Sequence, residues 1–146
     1  MLRGRFGESS GRPYVSARVF IPRLGLAGNV SFLFDTGADS SVLMPADAIT
    51  LGVDHALLSN PFESFGIGGS APTYVERARL AFADANGDRV YGYDIPLLVH
   101  HPTTDAMRVP SLLGRDIIDR WRVTYDKSAS ELAADVVSCD AEFPVQ

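Results

Sequence analysis

An all-β fold is predicted by three observations. Apolar and polar residues alternate with a period of two in several segments, glycine, proline and asparagine punctuate those segments at short intervals, and only two stretches read as helix, both brief. With 146 residues, 46% of them hydrophobic and 21% charged, the chain is sized for one domain with its own core.

Residues 1–13 carry Arg3, Arg5 and Arg12 with little apolar patterning, and are expected to be a flexible tail. From Tyr14 to Ile21 the pattern alternates, with Val15, Ala17, Val19 and Ile21 on one face. Pro22 ends that run, and Gly25 and Gly28 mark the turn before a second strand, Asn29 to Phe34. Met44 to Gly52 reads as one short helix, with Pro45 at its start and Gly52 as its stop. A glycine cluster, Gly66-Ile67-Gly68-Gly69, lies between two strand-like arms, and Pro72 sits on the returning arm. Ala78 to Ala83 and Val90 to Val99 flank Asn86-Gly87, a strong hairpin signal. His100 to Met107 is a loop. Leu112-Leu113-Gly114 then leads into about two helical turns, with Ile117, Ile118 and Trp121 on one side. A hairpin around Asp126-Lys127 closes the domain, expected to span residues 14–134, and residues 135–146 form a tail of no assigned role. No internal repeat is evident.

The chemistry concentrates in Phe32 to Leu43, FLFDTGADSSVL. Asp35 follows the apolar run Val30-Ser31-Phe32-Leu33-Phe34, which places a carboxyl where a buried strand ends, and Gly37 permits a sharp turn behind it. A carboxyl removed from water without a countercharge is costly and escapes by a shifted titration or a shared proton, so such groups cluster at functional sites.

Three features in order resemble the retropepsin-like aspartic peptidases across Tyr14 to about Leu132. They are the apolar strand with Asp35-Thr36-Gly37-Ala38-Asp39, the glycine cluster about 30 residues on, and the late Leu112-Leu113-Gly114-Arg115-Asp116. The resemblance implies a closed β fold with a glycine-rich flap hairpin (Gly66, Ile67, Gly68, Gly69) and one or two short helices, completed as a two-fold homodimer. It implies a catalytic Asp35 acting on a peptide or protein substrate, without metal or organic cofactor. Only one Asp-Thr-Gly is present, so the resemblance implies that the second aspartate comes from another copy and that dimerisation is required for activity. The same resemblance casts Thr36 as a bond across the two-fold axis, and Asp39 with Arg115 as a partly buried bidentate brace of the active-site loop. In the viral members short terminal strands interleave between subunits, whereas here both ends are longer. Val42, Ile67, Leu113 and Gly114 are expected beside the substrate groove.

Two facing carboxyls that share one proton divide the labour of base and acid. Ala38 lacks the hydroxyl that would donate to such a pair, so activity is expected to extend toward about pH 5–6 rather than stay confined to strong acid. The rival reading from another class is a catalytically silent module of the same fold that dimerises or binds peptides. A magnesium site built on Asp35 and Asp39 lacks further carboxylates and a phosphate cradle.

Bulk properties exclude other classes. A net charge of −5 without a Lys/Arg cluster leaves no nucleic-acid footprint. Cys139 is the single cysteine, so neither an internal disulfide nor a cysteine zinc site is expected. No apolar run is long enough to span a membrane, and the N-terminal residues lack the apolar stretch of a secretory signal, so a cytoplasmic location is expected. His100-His101 read as a solvated loop pair.

Overall fold

In the computed structural model, residues 1–66 and 69–145 are described; for 62–66 and 69–72 only the backbone is. Among the described residues, twelve strands and two helices follow one another along the chain. The strands are β1 (Leu2–Arg3), β2 (Arg5–Phe6), β3 (Pro13–Ile21), β4 (Leu26–Phe34), β5 (Val42–Leu43), β6 (Pro61–Gly66), β7 (Gly69–Ala83), β8 (Arg89–His100), β9 (Leu112–Leu113), β10 (Trp121–Asp126), β11 (Glu131–Val136) and β12 (Ala141–Pro144). Helix α1 is Pro45–Leu51 and α2 is Arg115–Ile118.

The alternation in β3 buries Val15, Ala17, Val19 and Ile21 and turns Ser16 and Arg18 outward, as a strand with one solvated face requires. Its partner β4 begins at Leu26, earlier than the glycines indicated. Gly25 alone takes the left-handed turn conformation (φ 66°), while Gly28 lies within the strand. A Cβ at Gly28 would meet Leu51 Cδ1 at 2.6 Å, so that glycine admits α1 against the sheet. Helix α1 starts with its proline and stops at Gly52 (φ 99°), which donates to Ala48 and Ile49.

Strand pairing closes a barrel. The order β8-β5-β9-β4-β3-β7 returns to β8 through the long β7–β8 hairpin, whose register runs from Thr73↔His100 to Ala83↔Val90. Inside lie Val19, Ile21, Phe32, Leu43, Leu80, Phe82, Tyr93, Leu97, Val99, Leu113 and Ile117, all nearly or fully buried. Phe82, Tyr93 and Trp121 pack edge to face, with Trp121 Nε1 donating to the Tyr93 hydroxyl at 2.8 Å and that hydroxyl donating to Ser138 O at 2.9 Å. Burial drives the Tyr93 phenol up to about 12. Trp121 is thus a core residue.

A second, three-stranded sheet, β1-β11-β10, packs beneath the barrel. The N-terminal residues expected to be flexible are therefore paired: Leu2 opposes Ala134 and is buried, and Arg5 opposes Tyr14 on β3. Two-residue strands carry no periodic signal, and their partners stand far along the chain. The C-terminal segment is likewise a strand, β12, on the outer edge of β8 with Ala141 opposite Gly92. Helix α2 is shorter than expected, one turn before the chain re-extends at Trp121.

Candidate active site

Strand β4 delivers Asp35 to the barrel rim, and β9 holds it there. The two run parallel with Phe34 opposite Leu113, Leu33 N–H donates to Ser111 O at 2.7 Å, and Asp35 N–H donates to Leu113 O at 3.0 Å. Beyond Asp35 the chain turns back on itself. Gly37 N–H donates to Asp35 Oδ1 at 2.9 Å, and Ala38 N–H to Asp35 O at 3.2 Å. One carboxylate oxygen is thereby aimed by the turn that Gly37 makes, and a Cβ on Gly37 would press on it at 3.2 Å. Asp35 is half-buried and Thr36 exposed, so the loop presents its carboxyl and hydroxyl at an open face.

Behind the loop, β5–α1 and β9–α2 brace each other reciprocally. Ser41 and Ser111 are both fully buried. Ser41 donates from N–H and Oγ to the Asp116 carboxylate at 2.9 and 2.8 Å, and its Oγ accepts from Gly114 N–H at 3.0 Å. Ser111 Oγ donates to Asp47 at 2.6 Å and accepts from Met44 N–H at 2.9 Å. Each serine thus reads the carboxylate of the opposite helix. The backbone adds Arg115 N–H to Ala38 O at 2.8 Å and Asp116 N–H to Asp39 O at 3.2 Å. Gly114 is required by this proximity: a Cβ there would lie 2.5 Å from the Ser40 carbonyl carbon.

No family model matches the sequence, and no curated protein does. Among solved structures, one similar to this chain is a retropepsin-like aspartic protease from Rickettsia conorii, at 18% identity, covering 100% of this chain and 92% of that one with a TM-score of 0.56. The fold is retropepsin-like. A second similar structure is the EIAV protease complexed with the inhibitor HBY-793, at 21% identity, covering 77% of this chain and 90% of that one, with a TM-score of 0.46.

Within the retropepsin-like fold the residues singled out from sequence separate into groups. Asp35, Thr36, Gly37, Ala38, Asp39, Gly114 and Arg115 converge on one loop cluster. The Asp39–Arg115 contact forms, but as a single-oxygen ion pair between side chains 83% and 46% exposed, not as a partly buried bidentate link. The brace expected of that pair is made by Asp116 and Ser41 instead. Leu113 is fully buried in the core, and its carbonyl, not its side chain, serves the loop. Val42 is half-buried between Leu98 and Leu112. Of the glycine cluster, Gly66 and Gly69 end the paired strands β6 and β7, and Ile67 and Gly68 lie outside the described residues.

Sequence reasoning misses the bracing roles of Ser41, Asp47, Ser111 and Asp116. Their signal is a short motif written twice, Ser41-Val42-Leu43 before Asp47 and Ser111-Leu112-Leu113 before Asp116, in a chain with no longer repeat. His100 and His101 are half-buried rather than solvated, and the His101 ring meets those of His55 and Tyr74.

Proposed function

We propose that this protein is an aspartic endopeptidase, active as a homodimer in which each copy contributes Asp35. The observation that carries the reading is the Asp35 loop itself: a carboxylate at the end of a barrel strand, oriented by Gly37 N–H and pinned through Leu113 and Gly114, with nothing in its own chain to complete it among the described residues. Peptide hydrolysis needs a base for water and an acid for the scissile carbonyl. Two Asp35 carboxyls around one shared proton supply both, because like charges a few ångströms apart do not ionise together. The ionised carboxyl takes the proton of an attacking water, and the protonated one hydrogen-bonds the carbonyl oxygen as it gains charge. The proton then passes to the departing amine. No metal is called for.

The β6–β7 hairpin is assigned the role of a flap that covers bound substrate, and Val42 that of a groove wall. Thr36, exposed beside Asp35, is assigned to bridge the two loops across the symmetry axis.

Cleavage of a mixed peptide library between pH 4 and 7 by the wild type and by Asp35→Asn tests the reading. Cleavage by the wild type alone is the expected outcome, with a loss of at least about 10³-fold in the variant, in line with removal of an essential acid–base group. Equal cleavage by both proteins, or none by either when folded and dimeric, overturns it, and the second result favours the peptide-binding module.

A further inference from the structure

Strand β10 is an open edge. It pairs only with β11 in the order β1-β11-β10, and among the described residues no strand lies on its other side. The hydrogen-bond parity of that edge is fixed by its neighbours. Arg120 O accepts from Val137 N–H, and Leu132 O accepts from Gly4 N–H on the β1 side. In an antiparallel ladder the bonded pairs alternate, so Arg122, Thr124 and Asp126 turn their backbone groups toward β11 while Val123 and Tyr125 turn theirs outward. An outward row of unpaired N–H and C=O groups is a template for another strand.

The side chains of β10 identify which strand it accepts. Read about Thr124, the segment Arg122-Val123-Thr124-Tyr125-Asp126 is complementary to itself run backwards. Two copies paired antiparallel with Thr124 on the axis place Arg122 opposite Asp126, and Val123 opposite Tyr125, on both sides. Among the described residues Arg122 has no ion-pair partner, and its cross-strand neighbour on β11 is Asp135. Asp126 stands opposite Glu131, a like charge, and accepts from Ser128 Oγ and Ala129 N–H through Oδ1 alone, which leaves Oδ2 for a cation. A shift of two residues one way sets Asp126 opposite Thr124 and Arg122 opposite Ser128, and the other way sets Asp126 opposite Arg120, which Asp140 already holds. The apolar side of the strand continues into a groove lined by Pro13, Phe34, Thr36, Ile118, Val123 and Tyr125, with Tyr125 54% exposed. That groove runs from β10 to Thr36, next to the carboxyl that needs a second copy.

We propose that two copies of this chain join edge to edge through β10, antiparallel about Thr124, making a continuous six-stranded sheet beneath the paired active-site loops. The inference rests on the homodimeric reading above and adds the surface and the register. Each Val123–Tyr125 pair carries two backbone hydrogen bonds, Arg122 and Asp126 clamp both ends, and Tyr125 of one copy covers the groove beside Thr36 of the other. The strand that lies inside β10 is β11 of the same chain, so no exchange of terminal segments is required.

Thr124→Cys in a Cys139→Ser background tests the register. Opposed residues of a non-hydrogen-bonded antiparallel pair have Cα atoms about 4.5 Å apart, within disulfide range. Under mild oxidation by oxidised glutathione the introduced thiols are expected to link two chains nearly quantitatively, with Asp35-dependent cleavage retained, while Ser128→Cys at the hairpin tip stays unlinked. Independently, Arg122→Glu is expected to weaken the dimer at least about tenfold by sedimentation, since it sets like charges opposite at both ends. A wild type that is dimeric and cleaves through Asp35, with the Thr124→Cys thiols unlinked and Arg122→Glu without effect, overturns the register and leaves the peptidase reading standing. Linked dimers without Asp35-dependent cleavage overturn the peptidase reading and support the interface. A monomer that cleaves through Asp35 overturns both.

Discussion

Replacing Asp116 with alanine removes the acceptor for two Ser41 donors while Ser41 stays fully buried, and a buried donor without an acceptor costs the full desolvation of that group. The adjacent Arg115 holds Asp39 across open water, where ion pairs contribute little. Urea unfolding should therefore show Asp116→Ala destabilised by about 2–4 kcal/mol and Arg115→Ala by under about 1 kcal/mol. Equal effects would return the brace to the exposed pair. The family resemblance points to Arg115, one position from the residue that does the bracing, because an arginine–aspartate pair is visible as charge in a sequence. A serine–carboxylate bond between residues 41 and 116 is not, since neither type is unusual and the spacing bears no local signature.

At the scale of elements, β12 is the least predictable piece and has the most explicit anchor. Asp140 accepts from Asp94 N–H at 2.8 Å and pairs with Arg120 at 3.0 Å, and Arg89 pairs with Glu142 along the same edge. Asp140→Ala leaves β12 its backbone pairing, the exposed Arg89–Glu142 pair and Arg79 over the Phe143 ring. A loss of about 1–2 kcal/mol is expected from its charge-assisted bonds, read as a melting temperature lowered by several degrees, with cleavage per folded molecule unchanged. The four residues Ala-Glu-Phe-Pro are too few to reveal a strand, whereas β3 alternates from Tyr14 to Ile21, β7 from Ala78 to Ala83 and β8 from Tyr93 to Val99, and these are legible from pattern alone. Length decides this. A two-residue strand such as β1 or β9 exists only because its partner is already in place, so its signal lies in the tertiary structure. The turn at Asn86-Gly87 sits at the other extreme, with its φ of 75° at Gly87 written into the dipeptide.

For the whole molecule, stability is expected to fall in acid in two stages. Burial, then repulsion from His101, holds the His55 imidazole below its ordinary value, against the pull of His100 and Asp54. Its Nε2 and the His101 Nδ1 are buried without hydrogen-bond partners among the described residues. A depressed imidazole favours the neutral folded form, so the unfolded chain takes up more protons and stability declines as pH drops below about 6.5. The second stage belongs to Asp94, held low first by Arg79, and Asp140, held low first by Arg120; both contribute fully above the ordinary carboxylate range near 3.8 and lose that contribution below it. Thermal melts from pH 8 to 3 should show a shallow fall beginning near pH 6.5 and a steeper one beginning below about pH 4. A melting temperature rising toward pH 3 would refute both. Cleavage reaching about pH 5–6, as Ala38 leads one to expect, lies above the second stage, in the range where the outer edge of the barrel is still clamped.

The hairpin of β10 and β11 has a kinetic consequence. Its pairs join residues close in sequence, from Asp126↔Glu131 outward, so it closes locally and early. The chain completes its lower sheet without a partner, and in the proposed dimer association would join finished surfaces rather than entangled chains. Separation of such a dimer would require no unfolding, and its subunits are expected to trade freely between pairs. If each pair needs both Asp35 carboxyls, as proposed, activity in a mixed population of intact and Asp35-substituted chains is expected to follow the square of the intact fraction, so each defective copy would silence more than itself.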